Sequence, residues 1–437
     1  MIFMTGYRNK IMSMDCIGHK EFKKTEIGRI PKEWEVVKLG DSKVTDTIYY
    51  GITAKASNES TGLKMLRTTD ISNYKFDYGK LPSCEITDRR NQLNQYKLFK
   101  GDLIIARAGT VGVSVLVDED YNDAVFGSYL IKVKLKSGIL PKFIHYFLQS
   151  SLYWNHIQKA QGSTLKNINL PLLKSLVLPL PPLPEQRKIA EILSTVDQAI
   201  QKIIEAIEKT QRLKKGLMQE LLTKGIGHKE FKKTDSGMIP KTWELKKLEE
   251  ISVDFVSGGT PSTSKDEYWN GDIPWMTSAF ITEREVKTGQ RFITNEGLKK
   301  SATKIVPKNN LLVATRVGIG KAAVNRIDIA ISQDLTGIII DDNKAIPDFI
   351  YWHIVNSGQR LKSMAQGSTI KGILREDLRK ISISLPPLPE QQKIAEILSS
   401  MDKRIETLRK RKERLEKVKR GLMEDLLTGK KRVKLED

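Results

Sequence analysis

The chain has 437 residues, 39% hydrophobic and 7% aromatic, and carries a formal charge of +21 from 73 Lys+Arg against 52 Asp+Glu. This is the composition of a folded protein with room for about two to four domains, and no apolar run approaches the ~18 residues of a membrane span. The charge excess is either a bias toward solubility or the footprint of a polyanionic partner, because Lys and Arg neutralise phosphates and release their counterions.

Cys16 and Cys84 are the only cysteines. Neither belongs to a CxxC pair, so neither a zinc knuckle nor a disulfide framework is expected, and a reducing, cytoplasmic setting follows. Met1 to Asp15 lack a continuous apolar core and do not read as a signal peptide. They have no counterpart later in the chain and form an N-terminal extension.

From Gly18 onward the chain says nearly everything twice. Gly18-His19-Lys20-Glu21-Phe22-Lys23-Lys24-Thr25, with Ile30-Pro31-Lys32 and Trp34, returns as Gly227 to Thr234, with Ile239-Pro240-Lys241 and Trp243. A mixed α/β segment follows each copy, from about Trp34 to Leu178 and from about Trp243 to Ser384. Its strand candidates are Leu103 to Ala106, Val113 to Val117 and Leu311 to Ala314. Its helix candidates are Pro141 to Lys159 and Pro347 to Met364, each opening on Pro-x-Phe-Ile. The segments from Tyr49 to Thr87 and from Val256 to Thr294 match poorly, as expected of one scaffold carrying two different reading surfaces.

Late in each α/β segment stands Gln-Gly-Ser-Thr (Gln161 to Thr164, Gln366 to Thr369). Leu-Pro-Pro-Leu-Pro-Glu-Gln then opens a long helix at Leu180 and again at Leu385. Pro184 and Pro389 suit a first helical turn, and Glu185 and Glu390 put negative charge at its positive end. Glu185 to Leu222 and Glu390 to Leu427 are each about 57 Å of helix. Their apolar positions follow a near-heptad rhythm: Ile189, Leu193, Val196, Ile200, Ile203, Ile207, Leu217 and Leu221, with Thr210 breaking the seam, then Ile394, Leu398, Met401, Ile405, Leu408, Leu415, Leu422 and Leu426. Two equal helices with narrow stripes are each other's natural coiled-coil partners. Duplication makes them antiparallel, a ruler with one globular segment at each end, and brings the two chain ends together. The C-terminal helix is strongly basic, from Lys403 to Arg420. That run is either a solvated outer face or a surface for DNA or an acidic partner. A duplicated unit suits a two-part target, such as a bipartite stretch of DNA.

These residues resemble the specificity subunit of type I restriction-modification enzymes. The likeness covers the chain from about Gly18 and is carried by the two Leu-Pro-Pro-Leu-Pro-Glu-Gln helix starts, Ile273-Pro274-Trp275-Met276-Thr277, Gly258-Gly259-Thr260-Pro261-Ser262 and Gly-Ser-Thr-x-Lys before each helix. The first half departs from it, with Leu66-Arg67-Thr68-Thr69-Asp70-Ile71 in place of Ile-Pro-Trp and no Gly-Gly-Thr-Pro. The resemblance implies an α+β protein: two pseudo-symmetric mixed α/β target-recognition domains separated by two long antiparallel coiled-coil helices. The divisions are 1–17 extension, 18–178 first recognition domain, 179–226 central spacer helix, 227–384 second recognition domain, and 385–437 C-terminal helix and tail. It further implies that each domain reads half of a split site in double-stranded DNA, and that two modification (methyltransferase) subunits dock on the helices. Those subunits carry the S-adenosylmethionine, so this chain has no cofactor of its own. A restriction (motor-nuclease) subunit is a further implied partner, and a membrane is not.

No catalytic constellation is visible. Gly318-Ile319-Gly320-Lys321 lacks the upstream glycine of a P-loop, since Thr315 stands there, and reads as a tight turn. The Pro-Pro pairs lack the flanking residues of an adenine methyltransferase. The five histidines, His19, His145, His156, His228 and His353, are scattered. The chain therefore reads as a non-enzyme. A self-sufficient DNA-modifying enzyme and a coiled-coil scaffold without a DNA role are the alternatives.

Base readout needs Arg, Lys, Asn, Gln, Ser or Thr at base edges, and phosphates need basic or small donors. Candidates in the divergent part of the first half are Tyr49, Tyr50, Lys55, Lys64, Arg67 and Thr68; in the second they are Thr260, Ser262, Thr263, Lys265 and Arg284. Gly162, Ser163 and Lys166, and likewise Gly367, Ser368 and Lys371, form either phosphate-contacting loops or plain exposed turns. Arg107 and Arg316 end strands before glycines and serve either DNA or a structural ion pair.

Overall fold

The computed structural model of the chain describes residues 21–57, 59–86, 93–161, 167–365 and 372–435. The chain divides into two compact units. One comprises Met1–Ile204 with Arg411–Asp437, the other Glu205–Lys410. The division falls within both long helices, so each unit owns one globular part and half of each helix.

The duplicated opening block is a β-hairpin. Phe22–Thr25 pairs antiparallel with Gly28–Pro31, and Phe231–Thr234 with Gly237–Pro240. The turn needs a left-handed residue, which Gly28 (φ 111°) and Gly237 (φ 106°) supply. Thr25 and Thr234 close it by donating their hydroxyls to the Gly28 and Gly237 carbonyls at 2.7 and 2.8 Å. The tryptophan three residues beyond each hairpin, Trp34 or Trp243, is fully buried.

In the first unit, Thr45–Tyr50, Leu130–Leu135, Leu103–Ala106 and Ser114–Leu116 form an antiparallel four-stranded sheet. A second sheet, in the order Lys55–Ser57, Ser83–Glu85, Lys64–Leu66, Tyr121–Phe126 and Lys97–Leu98, contains one parallel pair, Lys64–Leu66 with Tyr121–Phe126. The second unit repeats the plan. Ser252–Ser257, Leu335–Ile340, Asn310–Ala314 and Ala322–Asn325 run antiparallel, and Trp269–Met276 lies parallel to Ile329–Ile331. Leu103–Ala106 and Asn310–Ala314 are buried at every position, as the apolar runs Leu103 to Ala106 and Leu311 to Ala314 predict for central strands.

The helices expected from Pro141 and Pro347 both begin there but break early. Pro141–Phe147 is followed by Ser151–Gln161, and Pro347–Asn356 by Gly358–Ser363. Ser150 caps the restart in the first unit, its hydroxyl accepting the Tyr153 N–H at 3.4 Å. In the second, Gly358 sits at the break, where glycine weakens helix continuation.

The long helices span Leu183–Leu221 and Leu388–Leu427. Within the first unit, Ile189 and Leu193 share a core with Met423, Leu426 and Leu427, and Asp197 pairs with Lys419 at 2.8 Å. Within the second, Ile394 and Leu398 share a core with Leu221 and Leu222, and Asp402 pairs with Lys214. In each unit one helix therefore ascends as the other descends, which is the antiparallel arrangement. Thr210 does not break the seam: it is buried, and its hydroxyl donates to the Ala206 carbonyl at 2.7 Å. The tail after the C-terminal helix packs on the opening block, with Arg432 3.8 Å from Glu33 and Arg432 Nη2 3.1 Å from Glu185. Among the described residues no helix is long and apolar enough to cross a membrane.

Candidate nucleic-acid interface

In each unit three strands end at one edge, and the loops leaving them meet there. In the first unit the Arg107 N–H donates to the Tyr129 carbonyl at 2.9 Å, and the Ile52 N–H to the Phe126 carbonyl at 3.0 Å. In the second unit the Thr315 N–H donates to the Asp334 carbonyl, and the Gly259 N–H to the Ile331 carbonyl, both at 2.9 Å. The same loops are joined in the same way twice.

The crossing is so close that only glycine fits. A Cβ on Gly51 would lie 2.2 Å from the Gly127 carbonyl oxygen, and one on Gly258 2.1 Å from that of Ile331. Gly51-Ile52-Thr53 is therefore the structural counterpart of Gly258-Gly259-Thr260. In the second unit two buried indoles pin this loop. Trp275 donates to the Gly259 carbonyl at 3.1 Å and Trp269 to the Ser262 carbonyl at 3.0 Å, with the rings edge-on at 5.3 Å. The Ile-Pro-Trp motif thus acts through the loop it holds.

The first edge surrounds a cavity of about 560 Å³ lined by Thr53, Arg67, Thr68, Thr69, Ser128 and Tyr129, among others. Tyr129 is 65% exposed. Arg67 is clamped by Asp70, whose carboxylate accepts from Nε at 3.0 Å and Nη2 at 2.8 Å. This hydrogen bonding pushes the Arg67 pKa up, and the side chain remains 41% exposed. A fork held on one side and open on the other is arranged for directional donation. Arg107 stacks at 4.4 Å on the Tyr50 ring, donates to Asn167 Oδ1 at 3.1 Å, and is half-buried. At the second edge the exposed Thr260 donates to Gln333 Oε1 at 2.6 Å, and Ser262 and Ser264 share a hydrogen bond at 2.9 Å. Thr277, which matches Arg67 in the strand register, is held by Gln290.

Several of the residues expected at DNA sit elsewhere or are already engaged. Tyr49 faces the core against Tyr96 and Phe126, and its hydroxyl donates to the Gln95 carbonyl. Burial drives its pKa up. Tyr50, one residue on, faces the other way and accepts the Leu170 N–H at 3.1 Å. Arg284 is 14% exposed and pairs with Glu285 and Asp348 in a network completed by Arg326. Burial alone would raise the Glu285 pKa, but hydrogen bonds from Lys287 and Arg326 and the charges of Arg284 and Arg326 bring it to about 2. Tyr49 and Arg284, both partly buried, are thus engaged in structural contacts. Lys64 donates to the Tyr78 carbonyl at 3.1 Å and lies over the Tyr78 ring. Lys265 is tied to the Tyr268 hydroxyl at 3.2 Å, which raises its pKa. Lys55, Thr263 and Arg316 are exposed.

Arg107 and Arg316 are not equivalents, because Thr315 occupies the place of Arg107 in the loop bonding. Gly162, Ser163, Lys166, Gly367, Ser368 and Lys371 lie outside the described residues. The edges also hold Thr53, Ser128, Tyr129 and Gln333, which the sequence reading missed. The shared Gly-x-Thr of Gly51 to Thr53 and Gly258 to Thr260 was the available signal. The Gly318 and Gly320 segment is a tight turn, with φ of 72° and 89°.

One scaffold used twice, with different hydrogen-bonding side chains at the same edge of each copy, defines a two-headed recognition protein. The family model for the type I restriction modification DNA specificity domain matches residues 31–210 and 240–417. The chain is 32% identical to the putative type I restriction enzyme MjaX specificity subunit of Methanocaldococcus jannaschii, over 95% of this chain and 97% of that protein. It is 28% identical to the MjaVIII specificity subunit of the same organism, over 97% and 99%. The type I restriction-modification S subunit of M. genitalium shares the fold, with a TM-score of 0.56 at 15% identity over 90% of this chain and 96% of that one. The chain belongs to the specificity subunits of type I restriction-modification systems and carries two DNA-recognition domains.

Proposed function

We propose that the chain reads a split site in double-stranded DNA, one half per recognition domain, and catalyses nothing itself. The observation that carries this reading is the duplicated loop edge. Its backbone is shared between the units, while Thr53, Arg67, Ser128 and Tyr129 stand at one copy and Thr260, Thr277 and Gln333 at the other. Direct readout requires such a change of donors and acceptors on a fixed frame. The positive charge of +21 supports binding to the phosphate backbone. Arg107, Lys55, Lys265 and Arg316 are proposed as backbone-positioning groups. The Gly-Ser-Thr-x-Lys segments, with Gly162, Ser163, Lys166, Gly367, Ser368 and Lys371, are proposed for the same task.

The long helices set the separation of the half-sites and receive two modification subunits, one on each half of the duplicated chain. Those subunits bring S-adenosylmethionine and transfer its methyl group to DNA. The purified chain, incubated with DNA and S-adenosylmethionine, should methylate only after the modification subunit is added. Methyl transfer by the chain alone overturns the non-catalytic reading. Sequencing host DNA with and without this chain should show loss of methylation at a single split motif.

A further inference from the structure

Three of the four Glu and Gln side chains that open the long helices are buried in a way helix formation does not require, and the fourth, Glu390, is 15% exposed. Glu185 is 1% exposed, Gln186 2% and Gln391 fully buried. Gln186 donates to the Pro181 carbonyl behind it and accepts the Leu140 N–H, both at 2.8 Å. Leu140 is the residue from which the first domain's own helix starts. Gln391 does the same, donating to the Pro386 carbonyl at 2.8 Å and accepting the Ile346 N–H, from the equivalent start, at 2.9 Å. Glu185 accepts from the Trp34 indole at 3.0 Å and from Arg432 of the tail at 3.1 and 3.2 Å. Glu390 accepts from the Trp243 indole at 3.0 Å, from the Ile226 N–H at 2.9 Å and from His228.

A second joint lies lower on the same helices. Asp197 binds Lys419 at 2.8 Å and the Tyr146 hydroxyl at 2.9 Å. In the other unit Asp402 binds Lys214, whose ammonium lies 4.6 Å from the Trp352 ring. Glu185 and Asp197 are about 18 Å apart along the helix. One joint leaves a domain free to swivel, whereas two fix its direction. Buried ionic groups add little net stability compared with apolar packing, while their directional bonds hold one geometry.

We propose that Glu185, Gln186, Glu390 and Gln391 are positioning residues, which set the angle of each reading edge on its helices and so the half-site spacing the protein accepts. This rests on the split-site reading above. One base pair of spacing moves a half-site by about 3.4 Å and turns it by about 35°, so a mount held by several charge-assisted hydrogen bonds discriminates neighbouring spacings.

The test uses the full chain with its modification subunit and the split site found by host methylome sequencing. Duplexes keep both half-sites and vary the spacing by one base pair either way. The wild type should methylate the native spacing far faster than its neighbours. Glu185→Ala with Glu390→Ala should shrink that ratio by about tenfold or more, with the base preference inside each half-site unchanged. If circular dichroism shows that this variant is unfolded, Glu185→Gln with Glu390→Gln, which keeps volume but removes the charge, should shrink the ratio in the same direction. Methylation reduced by one common factor at every spacing, or a ratio equal to wild type, overturns the proposal. A wild type indifferent to spacing overturns the split-site ruler itself.

Discussion

Trp34 donates its indole N–H to the Glu185 carboxylate at 3.0 Å across 151 positions of chain, and both side chains are out of water. The bond ties the opening block of the first unit to the start of its long helix. Removing one partner strands the other: Glu185→Ala leaves the indole unpaired and the Arg432 guanidinium with Glu33 alone, 3.8 Å away, and Trp34→Phe leaves a buried carboxylate with one partner fewer. Each substitution should cost about 2–4 kcal/mol, and the pair should cost less than the sum by at least about 1 kcal/mol. Denaturant unfolding of the single and double variants measures this coupling. Additive losses mean that the contact carries no energy of its own.

Arg67 and Thr260 stand at corresponding edges in different units. In the proposed function they read different half-sites. Arg67→Ala should relax base preference at one position of one half-site by about 1–3 kcal/mol. Thr260→Val should act only on the other half. Asp70→Asn should weaken the same half-site as Arg67→Ala but by less, because the guanidinium stays while half of its clamp loosens. Methylation rates on single-base variants of each half separate these cases. An effect of Arg67→Ala spread over both halves counts against the assignment.

Much of the fold was readable because it is written locally. The strand Leu103–Ala106 is an apolar run, and the long helices announce themselves by proline, acid and a heptad stripe. Their direction followed from duplication and holds within each unit. The reading edge was harder, because it is built by contacts distant in sequence. Thr53 and Gln333 become edge residues only when Gly51 and Gly258 press against carbonyls on other strands. Tyr49 and Tyr50 looked alike in the chain, yet strand alternation sends one into the core and the other to Arg107. Arg284 looked free because its partners Asp348 and Arg326 are brought to it by folding. Arg107 and Arg316 looked paired because both follow an apolar strand, but hydrogen bonding aligns Arg107 with Thr315.

His353 is buried, and its Nε2 has no hydrogen-bond partner among the described residues. Burial lowers its pKa to about 4. The unfolded chain, with the ordinary value of about 6.5, binds the proton first. The stability that comes from keeping this histidine neutral is therefore complete above about pH 6.5 and is lost as pH falls toward 4, on the order of 3 kcal/mol in all. Its counterpart in the first unit's helix is Phe147, which cannot titrate. His353→Phe should flatten the acid side of the stability profile, measured as melting temperature between neutral pH and pH 4.5. A parallel profile for the variant means that other groups govern acid unfolding.

Lys132 and Asp102 form an ion pair at 3.0 Å with each side chain 3% exposed. Burial pulls the Lys132 pKa down, and Asp102 partly restores it. The ammonium is also held by the Lys97 carbonyl at 2.8 Å and lies 5.5–5.6 Å from the Tyr49, Phe99 and Phe126 rings. The second unit solves the same strand start without charge: Asn310 precedes Leu311 as Asp102 precedes Leu103, and its side chain is satisfied by the Pro307 and Lys308 carbonyls and the Ile340 N–H. Lys132→Met alone strands a buried carboxylate and should cost about 3–5 kcal/mol. Adding Asp102→Asn removes that charge and should recover at least about half of the loss, because the amide can take the role Asn310 plays. Recovery shows that the cost lay in the unpaired charge, whereas a double variant as unstable as Lys132→Met alone assigns the cost to the packing of the lysine chain among the three rings.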